Sequence, residues 1–209
     1  MAIIMVFCSW KFGKERQKMA KICNSELTAQ RQYDLQNGLL QLMRVMPYEK
    51  ITVSGICEKA SIPRRTFYRY FECKEDVLKW TLNNLLEEFY LQVLFDFRME
   101  PSAVRESLVR FFGFWYQEEN RWKLECLLEN GLEMQLVACS MQKKSNELAV
   151  ICSSQDDRLE RLTISAIMGT TAFFSVLFYW CRDKFRQSPE QMADHTAHYL
   201  TSPLFSLQR

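Results

Sequence analysis

Glycine and proline are scarce in this 209-residue chain, which has 6 glycines and 5 prolines. Because both residues mark the turns between short strands, their scarcity argues against a sandwich or barrel and favours long helices. No stretch alternates apolar and polar residues with a period of two, and no internal repeat is present. Apolar residues make up 48% and charged residues 25% of the sequence, an ordinary globular composition that excludes general disorder.

The sequence also lacks the motifs of common enzymes. It has no glycine-rich phosphate loop, no nucleotide motif and no recognisable pair of nucleophile and base. Its eight cysteines form no C-x-x-C pair and show no zinc-ligand spacing. We therefore expect a protein that is not an enzyme, has no metal or cofactor, and keeps its thiols reduced and mostly buried, as is typical of the cytoplasm.

Two segments bear on targeting and on membranes. Residues 2–10 are apolar, but the positive charges follow them, which is the reverse of a secretory signal. We predict that residues 1–24 are a flexible basic arm or an upstream extension, with Met19 as a possible true start. Residues 164–180 carry no charge over 17 positions, the lower limit of a membrane span, yet their serines, threonines and flanking charges favour a buried helix. No membrane partner is expected.

Apolar spacing predicts helices along the remaining chain. Pro47 ends the first of them, because the residue before a proline avoids the helical conformation. Thr52 is the predicted N-cap of the second helix, and Ser188 with Gln191 predicts a capping box at the start of the last. The predicted fold class is therefore all-α. The predicted helices cover residues 27–46, 52–60, 63–71, 74–97, 101–116, 120–150 with a break at Gly131, 158–185 and 189–201.

Charge is unevenly distributed along the chain. Residues 1–80 carry 14 Lys and Arg against 8 Asp and Glu, whereas residues 81–209 carry 13 against 17. A basic N-terminal part suggests a polyanionic partner, either nucleic acid or a membrane surface. A chance asymmetry between solvated surfaces is the alternative.

The predicted helix, turn and helix at 52–71 have the size of a DNA-binding helix-turn-helix. On a helical wheel, Phe67 and Phe71 share the side that faces the core. Guanidinium and hydroxyl groups on the opposite side are those that bind guanine edges and phosphates, and no acidic residue lies within 61–71 to repel them. A basic, solvated surface helix is the alternative. The opposite side carries Arg65, Thr66 and Arg69, with Tyr68 and Tyr70 on the flanks.

The run ITVSGICEKASIPRRTFYRYFECKEDVL at 51–78 resembles the N-terminal domain of the TetR/AcrR family of bacterial transcription regulators. Its most specific part is Thr-Phe-Tyr-Arg-Tyr-Phe-x-x-Lys-Glu-x-x-Leu after Ala-x-Ile. The resemblance covers about 27–80 and implies a homodimer on a pseudo-palindromic double-stranded DNA operator. It places a three-helix DNA-binding domain at 25–75 and a larger helical domain for effector binding and dimerisation at 76–209. Residues 115–116 and 127–132 further resemble the group related to dihydroxyacetone-kinase operon regulators.

The resemblance also implies roles for single residues. Two departures from the family pattern concern Ser61, where a turn glycine is usual, and Pro63, where a capping Ser or Thr is usual. Pro63 has no N–H to offer to a phosphate. The implied DNA contacts are to the backbone from Thr52, Tyr68 and Lys74, and to base edges from Arg64, Arg65 and Thr66, helped by Arg69 and Tyr70.

The C-terminal part contains aromatic residues that suit either a core or an apolar effector pocket. Two polar sets have alternative interpretations as well. Glu125, Glu129 and Glu133 form either a site for a cationic effector or a solvated helix face. His195 and His198 with Asp194 have helical metal-ligand spacing, but a polar helix face is favoured. The predicted effector pocket is Phe111, Trp115, Trp122, Phe173 and Phe174.

The sequence therefore predicts a ligand-responsive transcription regulator, and specifically a repressor that a small-molecule effector releases from DNA. A helical protein-interaction module on the same fold is the alternative. A thiol redox switch at Cys57 or Cys73 is a third hypothesis. Dimerisation is expected through 158–185 and 189–201, with Phe174 and Leu177 in the interface.

Overall fold

The computed structural model describes residues 26–92, 101–151 and 157–201, so the predicted arm at 1–24 lies outside the described residues. The described residues form helices joined by turns and contain no strand, which confirms the predicted all-α fold. Their helices are α1 (Glu26–Met43), α2 (Val53–Lys59), α3 (Arg64–Phe67), α4 (Lys74–Gln92), α5 (Pro101–Tyr116), α6 (Glu118–Glu129), α7 (Glu133–Ile151), α8 (Asp157–Arg182) and α9 (Pro189–Thr201), with a 3₁₀ turn at Tyr48–Lys50.

The chain divides into two compact units between Thr81 and Leu82. The division falls inside α4, so that α1, α2, α3 and the first part of α4 belong to the first unit. The rest of α4 and the remaining helices form the second unit.

The first unit is built on the packing of α1 against α2. Leu35 and Leu39 on α1 and Ile56 on α2 are completely buried. Gly38 lies where the two helices approach each other: a Cβ atom at this position would be 3.0 Å from the carbonyl oxygen of Ile56 and 3.3 Å from Cβ of Ala60. A residue without a side chain therefore lets the two backbones come close.

Helices α6 and α8 end with the same hydrogen-bonding pattern, in which a residue of positive φ closes the last turn. At the end of α6, Gly131 has φ +66°. Its N–H donates to the carbonyl of Leu128, and the N–H of Leu132 donates to the carbonyl of Leu127. This is the Schellman motif, and it explains the break that the sequence predicts at Gly131. Lys184 has φ +57° at the equivalent position after α8.

In the second unit, α5 packs against α6 and α9, and α8 packs against α6 and α7. The start of α9 has the predicted capping box, since the N–H of Gln191 donates to Oγ of Ser188 and the N–H of Ser188 donates to Oε1 of Gln191. Arg105 on α5 and Asp194 on α9 form an ion pair through two hydrogen bonds. Both side chains of this pair are about half exposed, so it contributes little to stability.

Helix α8 contains the uncharged segment at 164–180. Phe174 and Leu177, which we expected in a dimer interface, are instead buried in the core of their own chain. No described helix is both long enough and apolar enough to span a membrane. Among the described side chains of α8, the large apolar ones that are exposed are Ile164, Ile167, Met168 and Tyr179, and we call this set the α8 stripe.

Candidate nucleic-acid interface

Thr52 begins α2 as its N-cap, as the sequence predicts. Its extended backbone places Oγ1 3.1 Å from the N–H of Gly55, which donates to it. This bond satisfies one of the N–H groups that the first turn of a helix leaves without a partner. The hydroxyl hydrogen of Thr52 remains free to point outward, and the residue is exposed.

The turn between α2 and α3 depends on Ser61. This residue has φ +54°, in the left-handed region that favours glycine. Its N–H donates to the carbonyl of Glu58, and the N–H of Ile62 donates to the carbonyl of Cys57, so α2 also ends in a Schellman motif. The departure from glycine noted in the sequence thus coincides with a strained backbone position.

Helix α3 is shorter than the predicted 63–71. Pro63 precedes it with φ −59° and ψ 141°, and its carbonyl accepts hydrogen bonds from the N–H groups of Thr66 and Phe67. After Phe67 the chain tightens, because the N–H of Tyr70 donates to the carbonyl of Phe67, three residues back. Bonds of this spacing belong to a 3₁₀ turn rather than to an α-helix.

Helix α3 and the turn after it have apolar groups on one face and cationic groups on the other. Phe67 and Phe71 are buried, as predicted, and their ring centroids lie 5.9 Å apart. Tyr68 is 49% exposed, and a hydrogen bond with its side chain raises the pKa of Arg64 above the usual value. Three arginines, at positions 64, 65 and 69, are exposed, and Thr66 is half-buried beside them.

Tyr70 is the first correction to the predicted set. We expected its ring on the flank of the DNA-facing side, but the residue is only 4% exposed. The 3₁₀ turn explains the difference: residues three apart are eclipsed in a 3₁₀ turn, so Tyr70 lies on the same buried side as Phe67. Tyr70 therefore belongs to the core of the first unit.

Lys74 is the second correction. We expected its ammonium group to bind the DNA backbone. Its Nζ instead donates to three carbonyl oxygens, those of Tyr48 at 2.9 Å, Glu49 at 3.2 Å and Ile51 at 3.1 Å. An ammonium group has three hydrogens, so all of them are engaged within the protein. Lys74 thus fixes the segment that leads into Thr52.

The two thiols of the first unit that the structure describes do not have the properties of a redox switch. Cys57 is buried and Cys73 is half-buried. Burial raises the pKa of both thiols above the usual value. Because the thiolate is the reactive form, a raised pKa lowers the reactivity of both cysteines.

In the second unit, most of the predicted effector residues meet in one aromatic cluster. Phe111, Trp115 and Phe174 are fully buried, and Phe173 is half-buried. The rings of Phe111 and Phe173 are 5.8 Å apart, and those of Trp115 and Phe174 are 6.3 Å apart. Trp122 is half-buried on α6.

Sequence reasoning missed the residue at the centre of this aromatic cluster, Phe89. Its ring centroid lies 5.6 Å from Phe111, 5.3 Å from Phe114 and 5.7 Å from Trp115. The signal was present, since Phe89 falls in phase with the apolar face of the predicted helix at 74–97. None of the predicted pocket residues borders the open groove between α7 and α8, which has a volume of about 320 Å³. This groove is lined by Ala138, Met141, Gln142, Lys144, Ser145, Thr163 and Ile167.

Three of the six residues in the two polar sets with alternative interpretations form ion pairs. Arg121 pairs with Glu125 at 3.5 Å, and Arg182 pairs with Glu133 at 2.7 Å. Asp194 pairs with Arg105, which holds the pKa of its carboxyl below the usual value. These ion pairs favour the interpretation as polar helix faces over a cationic or metal site.

Comparison with known proteins places the fold. No protein-family model matches the chain. The structure superposes on the TetR family repressor AlkX from Dietzia sp. strain DQ12-45-1b, a protein implicated in biodegradation of n-alkanes. The TM-score is 0.50 and the sequence identity 14%, and the match covers 81% of this chain and 92% of AlkX. The chain has the TetR-family fold.

A second solved structure with this fold is the fatty acid degradation regulator FadR from Bacillus halodurans. It matches with a TM-score of 0.53 and 16% identity, covering 86% of this chain and 97% of that one. In sequence, 43 residues are 44% identical to the HTH-type dhaKLM operon transcriptional activator DhaS of Lactococcus lactis subsp. lactis (strain IL1403). That match spans 21% of this chain and 23% of DhaS, less than a quarter of either protein. The TetR-type resemblance predicted from residues 51–78 is confirmed at the level of the fold.

Proposed function

We propose that this protein is a sequence-specific, double-stranded-DNA-binding transcription regulator of the TetR type, and not an enzyme. The observation that carries the proposal is the exposed cationic side of α3 and its following turn, with Arg64, Arg65 and Arg69, opposite the buried rings of Phe67 and Phe71. A short helix anchored by two buried rings presents its other side at a fixed orientation, as major-groove recognition requires.

The proposed docking assigns different roles to the exposed groups. Arg65 and Arg69 approach base edges, where a guanidinium forms two hydrogen bonds to the O6 and N7 atoms of guanine. Thr66 offers a hydroxyl and a methyl group for smaller base contacts. Thr52 donates its free hydroxyl hydrogen to a phosphate oxygen, Tyr68 contacts the backbone at the edge of α3, and Arg64 joins Arg65 at the base edges. Backbone contacts of this kind set the register of the protein on the duplex.

We further propose that two copies associate through the α8 stripe and α9. Ile164, Ile167, Met168 and Tyr179 are apolar and exposed along one helix, and clustered exposed apolar side chains of this kind mark interfaces. A two-fold dimer presents two copies of α3 to a pseudo-palindromic operator, whose half-sites lie about 34–36 Å or a multiple of that apart. The protein is proposed to act in the cytoplasm.

The second unit is proposed to bind a small-molecule effector that releases a repressor from DNA. An effector that binds better to one spacing of the two recognition helices shifts the population toward that spacing. DhaS is by name an activator and AlkX a repressor, so an experiment must also determine whether this protein activates or represses transcription. The alternative, a helical protein-interaction module, gives no operator binding.

The deciding experiment is selection of fragmented genomic DNA from the source organism on the full-length protein, followed by fluorescence anisotropy with the enriched fragment. We expect a discrete enriched site with nanomolar binding at physiological salt, typical of specific complexes. The double variant Arg65→Ala/Arg69→Ala should lose this binding, whereas Arg186→Ala, which removes an exposed charge from the second unit, should keep it. Recovery of no enriched sequence would favour the protein-interaction alternative.

A further inference from the structure

Trp115 has a buried hydrogen-bond donor without an acceptor. Its side chain is completely inaccessible to solvent, and within the described part of the chain its indole Nε1 has no hydrogen-bond partner. The other fully buried tryptophan is different, since Nε1 of Trp180 donates to the carbonyl oxygen of Gln187 at 3.0 Å. A buried donor without an acceptor is costly and rare in folded proteins, so it calls for a physical reason.

Among the described residues, the immediate surroundings of Trp115 supply no strong acceptor. Its described ring neighbours are Phe89 at 5.7 Å, Phe114 at 5.1 Å and Phe174 at 6.3 Å between centroids. The faces of phenylalanine rings are weak acceptors, far poorer than a carbonyl oxygen. The centre of the aromatic cluster therefore combines apolar walls with one strong donor.

A chain of ring contacts connects this donor to the surface. Phe173 on α8 is half-buried and lies 5.8 Å from Phe111. Phe111 lies 5.6 Å from Phe89, which in turn lies 5.7 Å from Trp115. Because Phe111 and Phe89 are buried between Phe173 and Trp115, a flat apolar molecule that enters beside Phe173 must displace these rings to reach the donor.

We propose that this aromatic cluster is a ligand site for an uncharged, flat, mostly apolar molecule that carries one carbonyl-type acceptor, and that Trp115 Nε1 donates to this acceptor. The phenylalanine neighbours carry no charge to pair with an ionised ligand, and burial of an unpaired charge is strongly unfavourable. The proposal builds on the proposed function, in which this ligand is the effector of the second unit. It goes further by assigning the chemical class of the ligand and the atom that recognises its polar group.

The first test measures, without any ligand, how the unpaired donor of Trp115 affects thermal stability. Trp115→Phe and Trp180→Phe remove the same atoms from two fully buried sites, but the second variant also leaves the carbonyl of Gln187 without its donor. We expect Trp115→Phe to melt at a clearly higher temperature than Trp180→Phe in the full-length protein. Equal losses at the two positions would overturn the claim that the Trp115 donor is unpaired.

The second test uses two probes of nearly equal shape, acetophenone and α-methylstyrene, in which a C=CH₂ group replaces the C=O group. In ¹H–¹⁵N spectra, the indole signal that Trp115→Phe removes should move downfield with acetophenone and not with α-methylstyrene. Acetophenone should bind the wild type about tenfold more tightly than it binds Trp115→Phe, as expected for one hydrogen bond to a buried donor. Equal affinity of acetophenone for both proteins, or no binding up to its solubility limit, would overturn the proposal.

Measurement of DNA binding separates this inference from the proposed function. Trp115→Phe should bind the selected DNA fragment as the wild type does, because the substitution lies outside the first unit. Selective binding of acetophenone by a protein that selects no DNA would support the ligand site and reject the regulator. Specific DNA binding together with an acetophenone affinity that Trp115→Phe leaves unchanged would support the regulator and reject the ligand site.

Discussion

The ammonium nitrogen of Lys74 lies 2.9 Å from the carbonyl oxygen of Tyr48 and 4.4 Å from the centre of its ring. The first residue of α4 thereby holds the 3₁₀ turn that precedes Thr52, the N-cap of α2. Tyr48 is itself buried, and this burial, followed by the nearby carboxylate of Glu75, raises the pKa of its phenol. Lys74 is thus expected to affect the proposed DNA binding through the position of Thr52 rather than through a phosphate.

This role of Lys74 predicts a specific change in binding. Lys74→Met keeps the length of the side chain but removes the three donors, so residues 48–51 loosen and both the melting temperature and the DNA affinity should fall. The dependence of log K on log salt should keep its slope, because no phosphate contact is lost. A slope reduced by about one, with unchanged melting, would instead show that Lys74 binds a phosphate directly.

Arg69 provides a test of base recognition. Arg69→Ala should weaken binding to the selected operator by about 1–3 kcal/mol and relax the sequence preference at one base pair. Anisotropy titrations against operators with each base pair substituted would locate that position. Equal weakening on all sequences would assign Arg69 to the backbone, and Arg186→Ala is the control for general charge.

Ser61 provides a test of stored strain. Ser61→Gly should stabilise the first unit by about 0.5–1 kcal/mol. The left-handed conformation costs a residue with a side chain roughly 1–2 kcal/mol, and this is more than the entropic cost of fixing glycine, which is more flexible in the unfolded chain. Ser61→Ala retains the Cβ atom and should show no such gain. Thermal unfolding followed by circular dichroism measures both variants. A gain for alanine as large as that for glycine would show that backbone strain is not the cause.

Two helical glycines should respond oppositely to alanine. At Gly113 no atom lies within 4 Å of an added Cβ, so Gly113→Ala should stabilise the protein by about 0.5–1 kcal/mol. At Gly38 the added Cβ would lie 3.0 Å from the backbone of α2. Overpacking of this kind costs roughly 1–3 kcal/mol, which is more than alanine gains over glycine by its higher helix propensity. Gly38→Ala should therefore lower both the melting temperature and the DNA affinity. A stabilised Gly38→Ala variant would contradict the close packing of α1 against α2.

The dimer proposal is tested by two substitutions on α8. Met168 is 68% exposed, so Met168→Glu should leave the subunit folded but convert the dimer to a monomer in light scattering at micromolar concentration. Leu177 is fully buried, so Leu177→Arg should unfold the second unit and give aggregates instead. A wild type that is already monomeric, or a Met168→Glu variant that stays dimeric, would rule out this interface.

Sequence reasoning succeeded where a local rule decides the structure. The capping residues Thr52 and Ser188 and the break at Gly131 follow from side-chain chemistry within a few residues, and the structure has all three. It failed for Tyr70 and Lys74 for two different reasons. The position of Tyr70 depends on a switch from α to 3₁₀ geometry that a fixed 100° wheel does not contain. The partners of Lys74 lie 23–26 residues away along the chain and are carbonyl groups, which no side-chain pattern reveals.

The inward position of Tyr70 has a practical consequence for changing the DNA sequence that the protein is proposed to read. The buried anchors Phe67, Tyr70 and Phe71 are separate from the exposed positions 65 and 69 and from the half-buried position 66. A combinatorial library confined to positions 65, 66 and 69 leaves the hydrophobic anchors intact, so nearly all of its members should fold. Selection from such a library against altered operators is a direct route to regulators with new targets and an unchanged second unit.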